Sequence, residues 1–240
     1  MKPFFDFRDN LRKKIQGKIY DLVYPKKCVG CGIEGEWLCG KCFNKIVIVK
    51  APFCPTCQRM TMMGQYCPRC RSGQYLTGVI IAAHYEEPLK EAIHRFKYDR
   101  VADLGGILSE FIVMRLEAGF PRGDLVLAPV PLHRRREAER GFNQALVLAR
   151  KIGADFDLPL INDVLKRVKE VEPQMKLKRT ERLKNILGAF EARGDVRRLT
   201  GKTVLLVDDV MTTGATLNEA GRVLREAGAR NVWGLVLAKG

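Results

Sequence analysis

Two sets of residues in this 240-residue chain have the types and spacing to do chemistry. The first is the pair Asp208 and Asp209, which ends a short apolar run (Thr203, Val204, Leu205, Leu206, Val207). It is followed by Val210, Met211 and the small-residue stretch Thr212, Thr213, Gly214, Ala215 and Thr216. That order predicts a strand, an acidic pair at its carboxyl end, a tight loop and the start of a helix. Loop N–H groups, the hydroxyls of Thr212, Thr213 and Thr216 and the positive end of the helix dipole suit a phosphate. Two carboxylates at a strand end suit the vicinal hydroxyls of a ribose or a metal ion. A strand that only filled a core would have no use for adjacent carboxylates, so a sugar phosphate is the expected ligand.

The second set is eight cysteines, all within residues 28–70, falling as Cys28/Cys31, Cys39/Cys42, Cys54/Cys57 and Cys67/Cys70. Each pair has two residues between its members. Such a knuckle can offer two thiolates to one metal, and two knuckles close a tetrahedral site. Four thiolates leave no open position, so structural zinc is expected, at two sites. The simplest grouping is Cys28, Cys31, Cys39, Cys42 and Cys54, Cys57, Cys67, Cys70; an interleaved grouping is left open by the spacing. Disulfides and an iron–sulfur cluster are the competing uses, and disulfides fit a cytoplasmic chain poorly. The segment is too short for a core of its own, so metal would supply much of its folding energy.

The elements that must position these groups alternate. Residues 76–83 read as a buried strand. Pro88 starts a helix with Leu89, Ala92, Ile93 and Phe96 on one face, and the polar and aromatic stretch 96–100 breaks that pattern. A second helix carries Leu104, Ile107, Leu108 and Phe111 as its stripe. Residues 124–130 form another strand, leading into the stiff Pro129-Val130-Pro131-Leu132-His133 loop. Arg134, Arg135 and Arg136 follow, then a helix with Ala145, Leu148, Ala149 and Ile152 inward. Arginines and a helix start at a strand end make an anion site plausible, although a run of arginines alone is more often a solvated face. Residues 163–190 are rich in Lys and Arg with few periodic apolar residues, and read as a long mobile segment able to close over a ligand. A helix bearing Leu217, Ala220, Leu224 and Ala227 and a last strand at 232–238 complete the chain. Alternating strands and helices predict an α/β fold with a parallel sheet, whose ligands bind at the carboxyl ends of the strands. His84 and His94 lack metal-like partners and are assigned to surface or packing.

The formal net charge of +15 favours a polyanionic partner such as nucleic acid, nucleotide phosphate or an acidic membrane surface, although a solvated basic surface is the plain alternative. Residues 4–23 place Phe4, Phe7, Leu11, Ile15, Ile19 and Leu22 at helical spacing, with Arg12, Lys13, Lys14 and Lys18 elsewhere on the wheel. This amphipathic helix is expected to pack on the chain's own domains rather than on a membrane. No stretch has the length or apolarity of a transmembrane helix or the apolar core of a signal peptide, so a cytoplasmic location is expected. The expected divisions are residues 1–26 for that helix, 27–73 for the metal module and 74–240 for the α/β domain.

With these residues placed, the chain resembles the ComF family. Asp208, Asp209 and Thr212 to Thr216 are similar to the phosphoribosyl pyrophosphate (PRPP) signature of type I phosphoribosyltransferases. Val130, Pro131, Leu132, Arg136 and the stretch Arg140-Gly141-Phe142-Asn143-Gln144 resemble the family's pyrophosphate loop. Arg167, Gln174, Leu177, Arg182, Asn185, Ala189 and Phe190 resemble its flexible loop, or lid, and the cysteines fit its paired zinc ribbons. The resemblance implies a type I phosphoribosyltransferase-like sheet flanked by helices, preceded by a small double zinc-ribbon module. It implies PRPP with Mg²⁺ as ligand, and a role in natural transformation with single-stranded DNA and a ComFA-type helicase as partners. Asp208 and Asp209 are then ligand-binding residues first and catalytic candidates second, and turnover on some acceptor is the alternative function, beside a non-catalytic nucleic-acid-binding module. The run 204–209 also resembles the first strand of a receiver domain, but too little chain follows it for that fold.

Overall fold

The structure is a computed structural model, described here for residues 25–99, 101–119, 121–169 and 186–240. The expected helix over 4–23 and the lid residues Gln174, Arg182 and Asn185 lie outside the described residues, as does Leu177.

Four parallel strands make the main sheet: β1 (Gly78–His84), β2 (Leu125–Pro129), β5 (Thr203–Met211) and β6 (Asn231–Lys239), in the order β1-β6-β5-β2. The run Val204, Leu205, Leu206 and Val207 is fully buried because β5 lies inside the sheet with both faces covered. Central parallel strands therefore read as unbroken apolar runs. One face is covered by α2 (Leu89–Tyr98), α3 (Leu104–Glu117) and α5 (Gln144–Phe156); α6 (Ala215–Glu226) covers the other. Between β2 and α5 stands the short helix α4 (Arg134–Arg140), and α1 (Gly40–Phe43) belongs to the metal module.

The metal module is docked on the exposed side of β1. Val49 N donates to Ala82 O (2.9 Å) and His84 N to Val47 O (2.9 Å), while Gln65 bridges Gly78 in antiparallel fashion. This extends the sheet edge and covers backbone groups that an open edge would leave unpaired. The approach is close: a Cβ on Gly64 would stand 2.2 Å from Val79 O, so no larger residue fits there.

Several expectations need correction. The acidic pair does not end its strand. β5 continues through Asp208 and Asp209 to Met211, pairing Val210 with Ala238 and Met211 with Lys239, because β6 is long enough to hold it. Helix α2 buries Phe96 on its apolar face, as expected, but carries on to Tyr98, two residues into the stretch read as breaking the pattern. Ile107 is only partly buried, and the inward positions of α3 are Leu104, Leu108, Phe111, Ile112 and Leu116. The ends of the segment 163–190 are core. Strands β3 (Leu165–Arg167) and β4 (Phe190–Ala192) form an antiparallel hairpin, and Val164, Leu165, Ile186, Ala189 and Phe190 are buried. Short apolar runs there are diluted by Lys and Arg, which hid them from a periodicity reading. The three arginines 134–136 lie on α4 and not in an extended loop.

Candidate phosphate and metal sites

Strand alternation sends Asp208 and Asp209 to opposite faces of the sheet. Asp209 is 8 % exposed and meets Lys97 Nζ of α2 at 2.8 Å. Burial alone would push the Lys97 ammonium down, but the Asp209 carboxylate outweighs it and the group stays charged. Asp208 lies on the other face, half-buried, with its Oδ1 accepting from Asp209 N (2.9 Å). Burial and the neighbouring Asp209 charge push its carboxyl up to about 7, against the pull of Lys97 and Arg167. One carboxylate thus pairs with a lysine, while its neighbour Asp208 is balanced near neutrality.

Beyond β5, Gly214 adopts φ 80°, a left-handed conformation that suits glycine, and caps α6. Thr213 Oγ1 accepts from Ala215 N at 3.3 Å. Asp208, Val210 and residues 211–217 line a hollow of about 30 Å³, enough for roughly two water-sized groups. Thr212 is exposed at its rim, and Thr213 and Thr216 are half-buried.

The loop after β2 is locked to β5, with Val130 N donating to Val207 O at 2.9 Å. Asn143 fixes it from behind: its Nδ2 donates to Val130 O (3.0 Å), and its Oδ1 accepts from Ala145 N (3.0 Å) as the cap of α5. Pro131 and Leu132 follow, half-buried, and the next turns bring Arg136 and Arg140 toward Arg167 of β3. The Arg167 guanidinium is lowered first by burial, then by repulsion from Arg136 and Arg140; Asp208 opposes this. Its Cζ sits 5.5 Å from the centroid of the Phe190 ring, and its buried Nε has no hydrogen-bond partner among the described residues. Gln144 Nε2 and His133 Nδ1 are buried and unsatisfied in the same region. Unpaired buried N–H groups such as those of Arg167 Nε and Gln144 Nε2 are expensive, and an anion would satisfy them.

The structure therefore gathers Asp208, Asp209, Thr212 to Thr216, Val130, Pro131, Leu132, Arg136 and Arg167 at the carboxyl end of the sheet. Sequence reasoning missed Lys97, which is remote in the chain and sits in a stretch taken as a helix break. It also left Arg140 out of the binding set, although the motif at 140–144 contained it.

The cysteines form two groups, Cys28/Cys31/Cys39/Cys42 and Cys54/Cys57/Cys67/Cys70, with the sulfurs of each within 4.8 Å of one another. The grouping is sequential and not interleaved. Four sulfurs about 2.3 Å from a tetrahedral zinc ion would stand roughly 3.8 Å apart, so both groups fit. Cys39 N donates to Cys28 Sγ at 3.3 Å. Burial raises the Cys28 and Cys54 thiols, but backbone N–H groups outweigh it and bring both down to about 6. Such donors stabilise metal-bound thiolates.

A parallel sheet with an acidic pair on an inner strand and a glycine-capped loop beyond it, edged by two four-cysteine sites, defines a phosphoribosyltransferase-type domain carrying a double zinc ribbon. Family profiles agree: the Double zinc ribbon domain matches residues 19–71 and the Phosphoribosyl transferase domain residues 138–239. Competence protein F of Haemophilus influenzae is 32% identical over 221 residues, spanning 83% of this chain and 96% of its own. Competence protein ComFC of Bacillus subtilis is 32% identical over 200 residues, spanning 80% of each. DNA utilization protein YhgH of Escherichia coli K12 is 27% identical over 222 residues, spanning 88% of this chain and 96% of its own. The chain belongs to the ComF family. Among the described residues no helix is long and apolar enough to cross a membrane.

Proposed function

We propose that this chain is a PRPP-binding protein of DNA uptake, acting in the cytoplasm. The observation that carries the PRPP reading is the placement of half-buried Asp208 between a glycine-capped loop and the Arg136, Arg140 and Arg167 group. PRPP carries a phosphate, a vicinal diol and a pyrophosphate in one molecule. The loop 212–216 takes the 5′-phosphate through backbone N–H groups and threonine hydroxyls. Asp208 takes the diol or, with the ligand's own oxygens, Mg²⁺; magnesium sites commonly use one or two carboxylates plus substrate phosphates. The arginines and the loop after β2 take the pyrophosphate. Lys97, paired with Asp209, favours the ionised form of Asp208 against the repulsion of the Asp209 charge. When bound, Mg²⁺ would neutralise pyrophosphate charge.

The DNA side of the reading rests on the names of the relatives and on the net charge of +15. Basic surfaces would bind the phosphates of single-stranded DNA with a strong salt dependence. A ComFA-type helicase belongs to the same reading as a partner. A second function is favoured by one observation: the Asp208 carboxyl, at about 7, is poised to accept a proton. In that reading an acceptor nucleophile bonds to C1 of the ribose, the C1–O bond to pyrophosphate breaks, and the nucleophile's proton passes to Asp208 or solvent.

Calorimetric titration with PRPP and Mg²⁺ tests the binding. Saturable heat from the wild type and none from the Asp208→Ala, Asp209→Ala double variant is expected; equal affinity in both would refute the site. A pyrophosphate-release assay with bases, amines and single-stranded DNA as acceptors separates the enzyme from the binder.

A further inference from the structure

At the carboxyl end of α2, consecutive residues take different directions. Lys97 turns inward to Asp209 (2.8 Å), while the Tyr98 ring is 60% exposed. Tyr98 is not an isolated surface aromatic. The exposed His94 ring, one turn earlier, lies 4.8 Å from it at an interplanar angle of 44°. The Arg140 guanidinium at the end of α4 lies over the ring, 5.3 Å from its centroid. Arg140 is in turn part of the anion-binding group: its charge acts on both Lys97 and Arg167, and its Nη1 donates to Gln144 Oε1 at 2.9 Å. An exposed ring and imidazole, with a half-buried guanidinium plane, thus stand beside the end of the sheet that carries Asp208. Beyond its contacts with His94 and Arg140 the ring is left to solvent, and PRPP as bound above does not use it. Aromatic and guanidinium planes beside phosphate-binding cations are the recurring means of holding an unpaired base.

We propose that Tyr98, flanked by His94 and Arg140, is a stacking platform for a nucleobase whose phosphate is held by the neighbouring arginines. The ligand class is a nucleotide, free or within a single strand. The assignment rests on the anion-binding reading of Arg136, Arg140 and Arg167. Tyr98 lies outside the PRPP-binding set, so the two readings fail separately.

The test uses the full chain at fixed salt, with four probes: an oligothymidylate, the same strand with abasic residues, thymidine monophosphate and PRPP. Tyr98→Ala is expected to weaken the oligothymidylate about tenfold, in line with the stacking contribution of a single base. Binding of the abasic strand and of PRPP should stay within about twofold. Tyr98→Trp should restore the base-bearing probe. Tyr98 dependence of both the mononucleotide and the strand assigns the platform to free nucleotides as well; dependence of the strand alone assigns it to nucleic acid. Equal losses for the normal and abasic strands, or no loss for any base-bearing probe, would overturn the proposal. Failure of PRPP to bind the wild type would remove the PRPP reading while leaving the oligonucleotide comparison intact.

Discussion

The two zinc ribbons share one ligand pattern and dock in different ways. The first, from Cys28 to Cys42, packs against α2 and α3. Phe43 stacks on Phe111 at 4.5 Å, Lys26 pairs with Asp103 at 3.6 Å, and a Cβ on Gly30 would meet Pro88 at 2.8 Å. The second, from Cys54 to Cys70, stands behind the loop at 212–216. Tyr66 is buried, its N donates to Thr77 O at 3.3 Å, and its phenol oxygen would be 3.8 Å from a Cβ on Gly214. Asn218, one turn into α6, accepts from Tyr75 N (2.8 Å) and donates to Gly73 O (3.0 Å). One ribbon thus braces helices and the other braces the loop at 212–216. Equivalent metal sites acquire different roles from what they are packed against.

The largest effect that could break this contrast comes from the metal ligands. Cys67→Ser should remove one zinc per chain and lower PRPP affinity more than about tenfold, since structural zinc supplies folding energy to its module. Cys39→Ser should also remove one zinc but leave affinity within about threefold. Metal analysis paired with calorimetry reads both, and equal affinity losses would erase the distinction.

Lys97→Met changes the sheet side of the site and neither ribbon. It should cost about 3 kcal/mol in urea unfolding, because a buried Asp209 is left without its partner, while zinc content stays unchanged. Asn218→Ala cuts only the tie between α6 and residues 73–75, which follow directly on the second ribbon. A loss of about 1 kcal/mol is expected, with a several-fold drop in PRPP affinity. Unchanged affinity would mean that the ribbon does not brace the loop.

The smallest effect is on pH. The Asp208 carboxyl lies near 3.8 in the unfolded chain and about 7 in the folded one. Its contribution to stability is therefore complete below about 4 and is lost as pH rises through 7. Ligand binding, which needs the ionised form, should run the other way, with PRPP affinity rising up to about tenfold between pH 6 and 8. Asp208→Asn should flatten that rise.

Much of this was legible in the sequence because it is local. The β5 run, the glycine turn and the cysteine knuckles are encoded by neighbours in the chain, and strand alternation with helices carried the sheet. What was hidden depends on distant packing. Nothing near Lys97 announces Asp209, and nothing within the second ribbon announces Gly214 or Asn218. The hairpin of Leu165–Arg167 and Phe190–Ala192 was masked by surrounding charge, although Val164, Leu165 and Phe190 are core. Charge density identified a surface there but not the apolar ends beneath it.

The central claim is that one ligand spans the loop at 212–216, Asp208 and the arginine group. The most direct measurement compares the affinities of PRPP, ribose 5-phosphate and pyrophosphate at saturating Mg²⁺. Joining two fragments in one molecule should make PRPP bind at least about a hundredfold more tightly than either. Pyrophosphate binding as tightly as PRPP would contradict the account, and would reduce the site to a generic anion pocket.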